Sequence, residues 1–200
     1  MYHTIKQIVD KIDFATIPNE RKLLLGEMIA AIQLKRNTGA NIQLHFICTH
    51  NSRRSQFGQL WSLVAANHFK IPIRSFSGGM EVTEFNERAI ASLNRFGFRI
   101  TKTGNVNKRY TIEFNAGDPA VEMYSKLVED KQNPSENFIA IMTCSDADEK
   151  CPLVLGCDAR IALRYDDPKY FDGSPLEATM YDYRSFQIAS ELFYVFSNLT

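Results

Sequence analysis

The sequence has no excess of charge of either sign, because its 23 lysines and arginines are matched by 23 aspartates and glutamates. Such a balance creates no field that would attract nucleic acid or an anionic membrane surface. No apolar run approaches the roughly 20 residues that are needed to span a bilayer. The opening segment, MYHTIKQIVDKIDF, carries charge in every turn and lacks the apolar block of a signal peptide. These absences predict a cytoplasmic protein that has neither nucleic acid nor membrane as a partner.

Cysteine is also scarce, with four residues at positions 48, 144, 151 and 157. In a reducing compartment such thiols are more often free, catalytic or metal-bound than joined in disulfides. No two of them form the short C-x2-4-C pair of a structural zinc site. We therefore predict no bound metal and no resident cofactor, which leaves the cysteines as reactive thiols or as small buried side chains.

Strands alternate with helices over most of the chain. This alternation predicts an α/β fold: a three-layer doubly wound sheet of about four parallel strands with helices on both faces. Residues 1–40 contain two runs of apolar residues at helical spacing, which predicts an N-terminal helical extension packed on a main domain at 41–200. The predicted strands of that domain cover 42–47, 71–76, 109–114, 138–142 and 161–165, and its predicted helices cover 53–69, 85–96, 120–130 and 176–196.

Three chemically active residues come just after predicted strands, namely Cys48, Cys144 and Asp167. In open parallel sheets the active site lies beyond the carboxyl ends of the strands. We therefore expect these three residues to lie at one edge of the sheet.

The segment CTHNSRRS, residues 48–55, carries most of the functional information. A predicted strand ends at Cys48, and Arg54 opens a helix after five intervening residues. A loop at a helix amino terminus can turn its N–H groups around a tetrahedral oxyanion, and Arg54 adds a guanidinium fork that fits two oxygens of phosphate or arsenate. The helix dipole, Arg54 and the hydroxyl of Ser55 all favour the thiolate of Cys48, which predicts a nucleophile. The predicted oxyanion-binding residues are Thr49, His50, Asn51, Ser52, Arg53, Arg54 and Ser55. A buried structural thiol beside a solvated arginine pair is the alternative interpretation.

This loop resembles that of the low-molecular-weight protein tyrosine phosphatases and of the thioredoxin-coupled arsenate reductases, which share one fold. Their patterns are C-x-G-N-x-C-R-S and C-T-G-N-S-C-R-S, against C-T-H-N-S-R-R-S here. His50 replaces a glycine, where a positive φ would strain a histidine. Arg53 replaces a second loop cysteine, which implies that reversible disulfide protection of the nucleophile is absent. The resemblance covers most of residues 42–196, with an apparent insertion between about 104 and 135, and leaves the first forty residues outside.

Asp167 is the predicted general acid. An oxygen leaving group needs a proton from a carboxylic acid near the thiolate. The resemblance implies that this acid belongs to an Asp-Pro pair, which Asp167 and Pro168 match. Asp-Asp-Pro is also ordinary turn chemistry, but beside the loop we favour the acid.

The segment CSDADEKCP, residues 144–152, distinguishes the two activities of the resembled proteins. A reductase needs a thiol to attack the Cys48–arsenic adduct and another to resolve the resulting disulfide, whereas a phosphatase needs neither. The segment resembles C-S-D-A-D-x-x-C-P of arsenate reductases, which implies Cys144 and Cys151 as this relay. In a helix they would lie two turns, about 10 Å, apart, and a disulfide needs Cα atoms within roughly 7 Å. Oxidation should therefore unwind the segment, and its acidic residues Asp146, Asp148 and Glu149 should keep it solvated. Two passive, packed cysteines are the alternative.

Three functions follow as hypotheses. The first is an arsenate reductase that uses a C-x5-R-S loop and a cysteine relay re-reduced by thioredoxin as the external reductant. The second is a low-molecular-weight phosphatase that hydrolyses an aryl phosphate through a phosphocysteine. The third is a non-catalytic module that senses an anion or binds a partner. The expected ligands are arsenate, phosphate or an aryl phosphate, and the N-terminal helices are a candidate homodimer surface.

Overall fold

The computed structural model describes residues 1–104, 107–150 and 153–199. Its centre is a parallel four-stranded sheet with strand order β2-β1-β6-β7. The bounds of these strands are Gln43–Cys48 (β1), Arg74–Gly79 (β2), Phe138–Met142 (β6) and Cys157–Ile161 (β7). The two central strands, β1 and β6, are buried on both faces, as is usual for parallel strands covered by helices. The predicted doubly wound α/β fold is confirmed.

Helices cover both faces of this sheet. Helices α2, α3 and α6 share one face, and the short helix α5 contacts β1 and β6 from the other. The helices are His3–Val9 (α1), Asn19–Asn37 (α2), Arg54–Phe69 (α3), Glu87–Arg95 (α4), Ser145–Lys150 (α5) and Glu177–Ser197 (α6). Short 3-10 turns are present at Phe14–Thr16 and Pro168–Phe171. Within the described ranges, none of these helices combines the length and the apolar character needed to cross a membrane.

Helix α3 lies unusually close to the central strand. A Cβ placed on Gly58 would be only 2.4 Å from the ring of Phe46, so this position requires glycine. Both residues are one turn or less from the ends of the loop that joins β1 to α3. The close approach therefore packs the first turns of α3 directly against β1, the strand that ends at Cys48.

A second sheet occupies part of the predicted insertion. It is antiparallel, with order β3-β4-β5, and its strands are Arg99–Lys102 (β3), Tyr110–Glu113 (β4) and Val121–Met123 (β5). The strand predicted at 109–114 is confirmed, whereas the helix predicted over 120–130 is wrong. Residues 121–123 pair with β4 instead, because cross-strand partners override a short apolar pattern that fits both periods.

The strand predicted over 161–165 is also misplaced, because β7 ends at Ile161. Leu163 and Tyr165 are buried as their alternation suggests, but they do not continue the ladder. Leu163 N bonds back to Ile161 O at 3.1 Å, and Tyr165 N bonds to Thr143 O at 3.1 Å. The chain thus leaves the sheet and crosses above the carboxyl end of β6 before it reaches Asp167.

His45 of β1 is a buried histidine whose charge state depends on the fold. Its side chain lies between the rings of Phe76 and Phe138, and neither ring nitrogen bonds to a described residue. Burial, with a smaller contribution from the charge of Lys126, lowers the pKa of His45 to about 3. The unfolded chain, with an ordinary histidine pKa of about 6.5, therefore binds more protons than the native protein as the pH falls.

We expect His45→Leu to reduce the acid sensitivity of the fold. In the wild type, His45 should remove stability as the pH falls from about 6.5 towards its folded pKa, by as much as about 1.4 kcal/mol per pH unit. Leucine is of similar size and cannot be protonated, so this contribution should disappear. Urea unfolding between pH 7 and pH 4 measures the slope, with His3→Leu, a change at an exposed histidine, as the control. If the free energy of unfolding depends on pH in the same way in His45→Leu and in the wild type, His45 is not a source of the acid sensitivity.

Candidate functional site

The loop from Cys48 to Ser55, here called the anion cup, joins the end of β1 to the start of α3. Cys48 is the last residue of the strand and is 3% exposed. The one left-handed residue of the loop is Asn51, with φ of 45°. Asparagine tolerates this conformation better than most side chains. The strain considered for His50 is therefore not present, because the positive φ falls on the next residue.

Four consecutive carbonyl groups of the cup, from Thr49 to Ser52, are directed outward into the surrounding protein. Each accepts one or two hydrogen bonds of 2.8–3.1 Å. The donors are Met80 N and Glu81 N to Thr49, Ser125 Oγ and Thr83 Oγ1 to His50, Gln56 Nε2 to Asn51, and Asn86 N to Ser52. These bonds fix the loop from outside and leave its other polar edge facing inward.

The N–H groups of the cup have no such partners. Across the described residues, no acceptor takes a hydrogen bond from a backbone N–H between Thr49 and Ser55. Buried amides are almost always paired in folded proteins, so a run of unpaired ones at a helix amino terminus indicates a ligand site. N–H groups that point inward in this way can donate hydrogen bonds to a tetrahedral oxyanion.

Asn51 and Ser55 form a chain of hydrogen bonds that ends at the sulfur of Cys48. Asn51 Oδ1 accepts a bond from Lys126 N at 2.9 Å, which fixes the direction of the amide. Asn51 Nδ2 then donates to Ser55 Oγ at 2.9 Å, so the proton of that hydroxyl is available to Cys48 Sγ, 3.1 Å away. This chain of hydrogen bonds holds the hydroxyl of Ser55 next to the sulfur of the predicted nucleophile.

The two arginines of the cup converge on one carboxylate. Arg53 Nε and Arg54 Nη2 each lie 2.7 Å from an oxygen of Asp167. Arg54 Nη1 also donates to Tyr165 O at 2.8 Å, while its buried Nε has no partner among the described residues. The bonds to Tyr165 and Asp167 thus fix the two Nη atoms of Arg54, and its Nε–H is available to bond a ligand.

Asp167 is an ionised partner in this arrangement. Burial raises the pKa of Asp167, but the neighbouring Arg54 and Arg53 lower it by more, and the net shift is downward. Asp167 also accepts from Lys169 N at 3.0 Å and opens a 3-10 turn, so the turn chemistry noted in the sequence is present as well. The role of Asp167 as general acid stays a prediction, because proton donation requires that the carboxylate first loses its arginine partners.

Cys144 lies directly beside the cup. It is 1% exposed, two residues beyond β6, and its Sγ is 3.4 Å from Thr49 Oγ1. Cys48 and Cys144 belong to one buried cluster on the α5 side of the sheet. The structure therefore brings together all three residues expected at the carboxyl ends of the strands, since the main chain before Asp167 also bonds to Thr143.

The relay segment, residues 144–152, is helical over Ser145–Lys150, which form α5. Asp146 and Glu149 are exposed as expected, but Asp148 is buried and forms ion pairs with Arg160 and Arg164. The expectation that all three acidic residues are solvated is therefore wrong for Asp148. Cys151, the predicted resolving thiol, lies outside the described residues.

Comparison with solved structures identifies the fold. The structure aligns with a low-molecular-weight phosphotyrosine phosphatase from Vibrio cholerae at a TM-score of 0.51, with 11% identity, over 78% of this chain and 94% of that one. It aligns with an arsenate reductase in its phosphate-binding state at a TM-score of 0.50, with 18% identity, over 79% of this chain and 98% of that one. The chain has the low-molecular-weight phosphatase fold.

The sequence comparison finds arsenate reductases. Arsenate reductase 2 of Staphylococcus haemolyticus is 25% identical over 126 residues, which is 62% of this chain and 77% of that protein. An arsenate reductase of Bacillus licheniformis is 26% identical over 134 residues, 67% of this chain and 79% of that protein. No family model matches the chain. The resemblance seen in the loop is confirmed, and the two comparisons together support an enzyme of this superfamily.

A polar depression of about 480 Å³ opens beside the cup. Among the described residues, no phenylalanine, tyrosine or tryptophan lines it. Its lining is His50, Ser52, Arg53, Thr83, Glu84, Asn86, Glu87, Arg88, Lys108, Lys169 and Asp172. Of the tyrosines nearest in sequence to Asp167, Tyr165 is buried and Tyr170 is 84% exposed. This phosphatase-fold protein thus presents charged and polar groups, rather than an aromatic wall, to a molecule at the cup.

Sequence reasoning missed the residues that support the cup but lie far from it in the sequence. Ser125 and Lys126 hold His50 and Asn51, yet they follow β5 in the insertion and form no recognisable motif. Glu191 supports Tyr165 from α6. Its signal in the sequence was present, because it is a charged residue inside the apolar stripe of a helix.

Proposed function

We propose that this protein is an arsenate reductase in which Cys48 attacks arsenate held in the anion cup. The inward amides and the guanidinium of Arg54 suit a tetrahedral oxyanion, and Ser55 Oγ lies 3.1 Å from the sulfur of Cys48. The observation that carries the proposal is the second buried thiol, Cys144, whose Sγ is 3.4 Å from Thr49 Oγ1, on the residue next to Cys48. A phosphatase has no use for a thiol in this position.

The proposed reaction transfers two electrons from sulfur to arsenic. Cys48 Sγ attacks arsenic(V), a sulfur–arsenic bond forms, and one oxygen leaves as water. Cys144 Sγ then attacks Cys48 Sγ, and the sulfur–arsenic bond breaks with its electron pair remaining on arsenic, which leaves as arsenite. Cys151 attacks Cys144, moves the disulfide to the Cys144–Cys151 pair and restores the Cys48 thiolate. An external dithiol, which we propose to be thioredoxin, reduces this last disulfide.

Asp167 supplies the proton for the departing oxygen in this scheme. An arsenate anion competes with the carboxylate for Arg54, and loss of that ion pair raises the pKa of Asp167. A carboxyl released from its arginines can then hold the proton that hydroxide needs to leave as water. The same event gives Arg54 to the substrate.

Hydrolysis of a phosphate ester is the second candidate, because the cup suits phosphate equally well and the fold is shared with a phosphotyrosine phosphatase. The depression beside the cup argues against an aromatic ester. An aryl group is recognised mainly through apolar and aromatic contacts, and the lining there is charged.

Replacing Cys144 with serine tests the reductase. We expect arsenate-dependent oxidation of thioredoxin to fall on the order of 10³-fold, because the hydroxyl cannot complete the electron transfer. Binding of inorganic phosphate, measured by calorimetry, should stay within about twofold, since Thr49 retains a hydrogen-bonding neighbour. Cys157→Ser, at a half-buried cysteine of β7, is the matched control and should reduce arsenate normally. Full arsenate reduction by Cys144→Ser would eliminate the relay, and aryl phosphate hydrolysis without arsenate reduction in the wild type would favour the phosphatase.

A further inference from the structure

A buried ion pair connects the N-terminal helical extension to the main domain. Arg21 of α2 donates to both carboxylate oxygens of Glu191 on α6, from Nε at 2.9 Å and from Nη2 at 2.8 Å. Glu191 is 2% exposed. Arg21 belongs to the forty residues that lie outside the family resemblance, so this ion pair is no part of the loop motif on which that resemblance rests.

Tyr165 is the third member of this cluster. Its hydroxyl donates to Glu191 Oε2 at 2.7 Å, and the guanidinium carbon of Arg21 lies 4.6 Å from the centre of its ring. Burial and the adjacent charge of Glu191 raise the pKa of Tyr165 well above its ordinary value, so the hydroxyl remains a donor. The side chain of Tyr165 is therefore fixed at its hydroxyl by Glu191 and over its ring by Arg21.

The main chain of Tyr165 leads directly to the anion cup. Its N–H donates to Thr143 O at 3.1 Å, and its carbonyl accepts from Arg54 Nη1 at 2.8 Å. Two residues later the chain supplies Asp167, the other partner of Arg54. The position of the Tyr165 side chain thus sets two of the acceptors that orient the arginine of the cup.

We propose that Arg21 is a positioning residue for the oxyanion site, acting through Glu191 and Tyr165 on Arg54. This inference rests on the proposed function only in taking the cup as the site of an oxyanion. A buried ion pair usually adds little net stability over apolar side chains, because desolvation offsets the attraction. What the pair supplies is direction, since a guanidinium fork fixes a carboxylate that in turn fixes one hydroxyl. The N-terminal extension therefore completes the active-site scaffold.

Protection of Cys48 from iodoacetamide by inorganic phosphate tests this role in the full chain, without any need for turnover. Arg21→Gln combined with Glu191→Gln removes the pair without leaving a buried charge unpaired. We expect the phosphate concentration for half-protection to rise roughly tenfold. Arg21→Lys, which keeps the charge but loses the fork, should fall between this variant and the wild type.

The control removes a second two-bond ion pair from the same helix. Arg95 and Asp182 join α4 to α6 through bonds of 2.8 and 2.7 Å, and neither residue contacts Tyr165. Arg95→Gln with Asp182→Asn should leave protection within about twofold of the wild type, whatever its effect on the unfolding temperature.

The outcomes separate the two proposals. If the wild type is protected and the Arg21/Glu191 variant is protected equally well, the positioning role is wrong and the pair is structural only. If neither phosphate nor arsenate protects wild-type Cys48, the proposed oxyanion site fails and the positioning role fails with it. If the double variant does not fold, Tyr165→Phe removes the same connection at the hydroxyl, and unchanged protection in that variant overturns the inference.

Discussion

Cys48→Ser is expected to abolish arsenate reduction, by at least about 10⁴-fold relative to the wild type. The serine hydroxyl is protonated at neutral pH and is a poor nucleophile, whereas a cysteine sulfur is intrinsically far more nucleophilic. The measurement is arsenate-dependent oxidation of a dithiol by purified protein, with the enzyme concentration raised until background oxidation sets the limit.

Binding of phosphate provides the control for this variant. The cup is built from main-chain amides whose carbonyls are held by the surrounding protein, so Cys48→Ser should bind phosphate within about threefold of the wild type. Loss of activity together with retained binding locates the defect in chemistry. If Cys48→Ser keeps more than a tenth of the wild-type activity, Cys48 is not the nucleophile. If the wild type binds phosphate but never reduces arsenate, the anion-sensing alternative is favoured.

Arg54→Lys is expected to lower kcat/KM for arsenate by roughly 10²- to 10³-fold. Lysine keeps the positive charge but cannot bond Tyr165 O and also present a planar pair of donors to an oxyanion, as the guanidinium of Arg54 can. Steady-state kinetics over a range of arsenate concentrations measures the effect: KM should rise and kcat should fall.

Arg53→Lys is the matched comparison, because it changes the adjacent arginine in the same way. Both bonds from the Arg53 side chain go to Asp167, at 2.7 and 3.2 Å, so its guanidinium is a partner of the carboxylate. We expect kcat/KM to change by less than about fivefold, because a lysine at this position can keep the charge pair with Asp167. Equal losses in the two variants would show that the cup does not distinguish its arginines in the way the geometry indicates.

Local sequence patterns were sufficient for β1, the anion cup and α3, whereas β2 and β7 were each predicted a few residues away from their observed positions. The path from β1 through the cup to α3 could be predicted because strand, loop and helix are consecutive and each has its own periodicity. The errors fell where partners are distant in sequence. Residues 121–123 have an apolar pattern that suits a helix or a strand, and only the presence of β4 decides between them.

The candidate site divides in the same way. The residues of the cup and the neighbouring position of Cys144 followed from one motif and from the rule that sites lie at the carboxyl ends of parallel strands. The ion pair between Arg53 and Asp167 spans 114 positions, and that between Arg21 and Glu191 spans 170. No pattern in a single sequence predicts contacts of that range, because each depends on how whole helices pack.

The hydrogen bonds that hold the cup from outside also couple the stability of the second sheet to the binding of a ligand in the cup. Ser125 and Lys126, directly after β5, hold two of the residues whose amides face inward. A solute that binds only when those bonds are formed stabilises them by mass action, and it does so in proportion to the logarithm of its concentration. An oxyanion bound in the cup and the insertion should therefore stabilise each other, so that loosening one weakens the other, through the bonds from Ser125 Oγ to His50 O and from Lys126 N to Asn51 Oδ1.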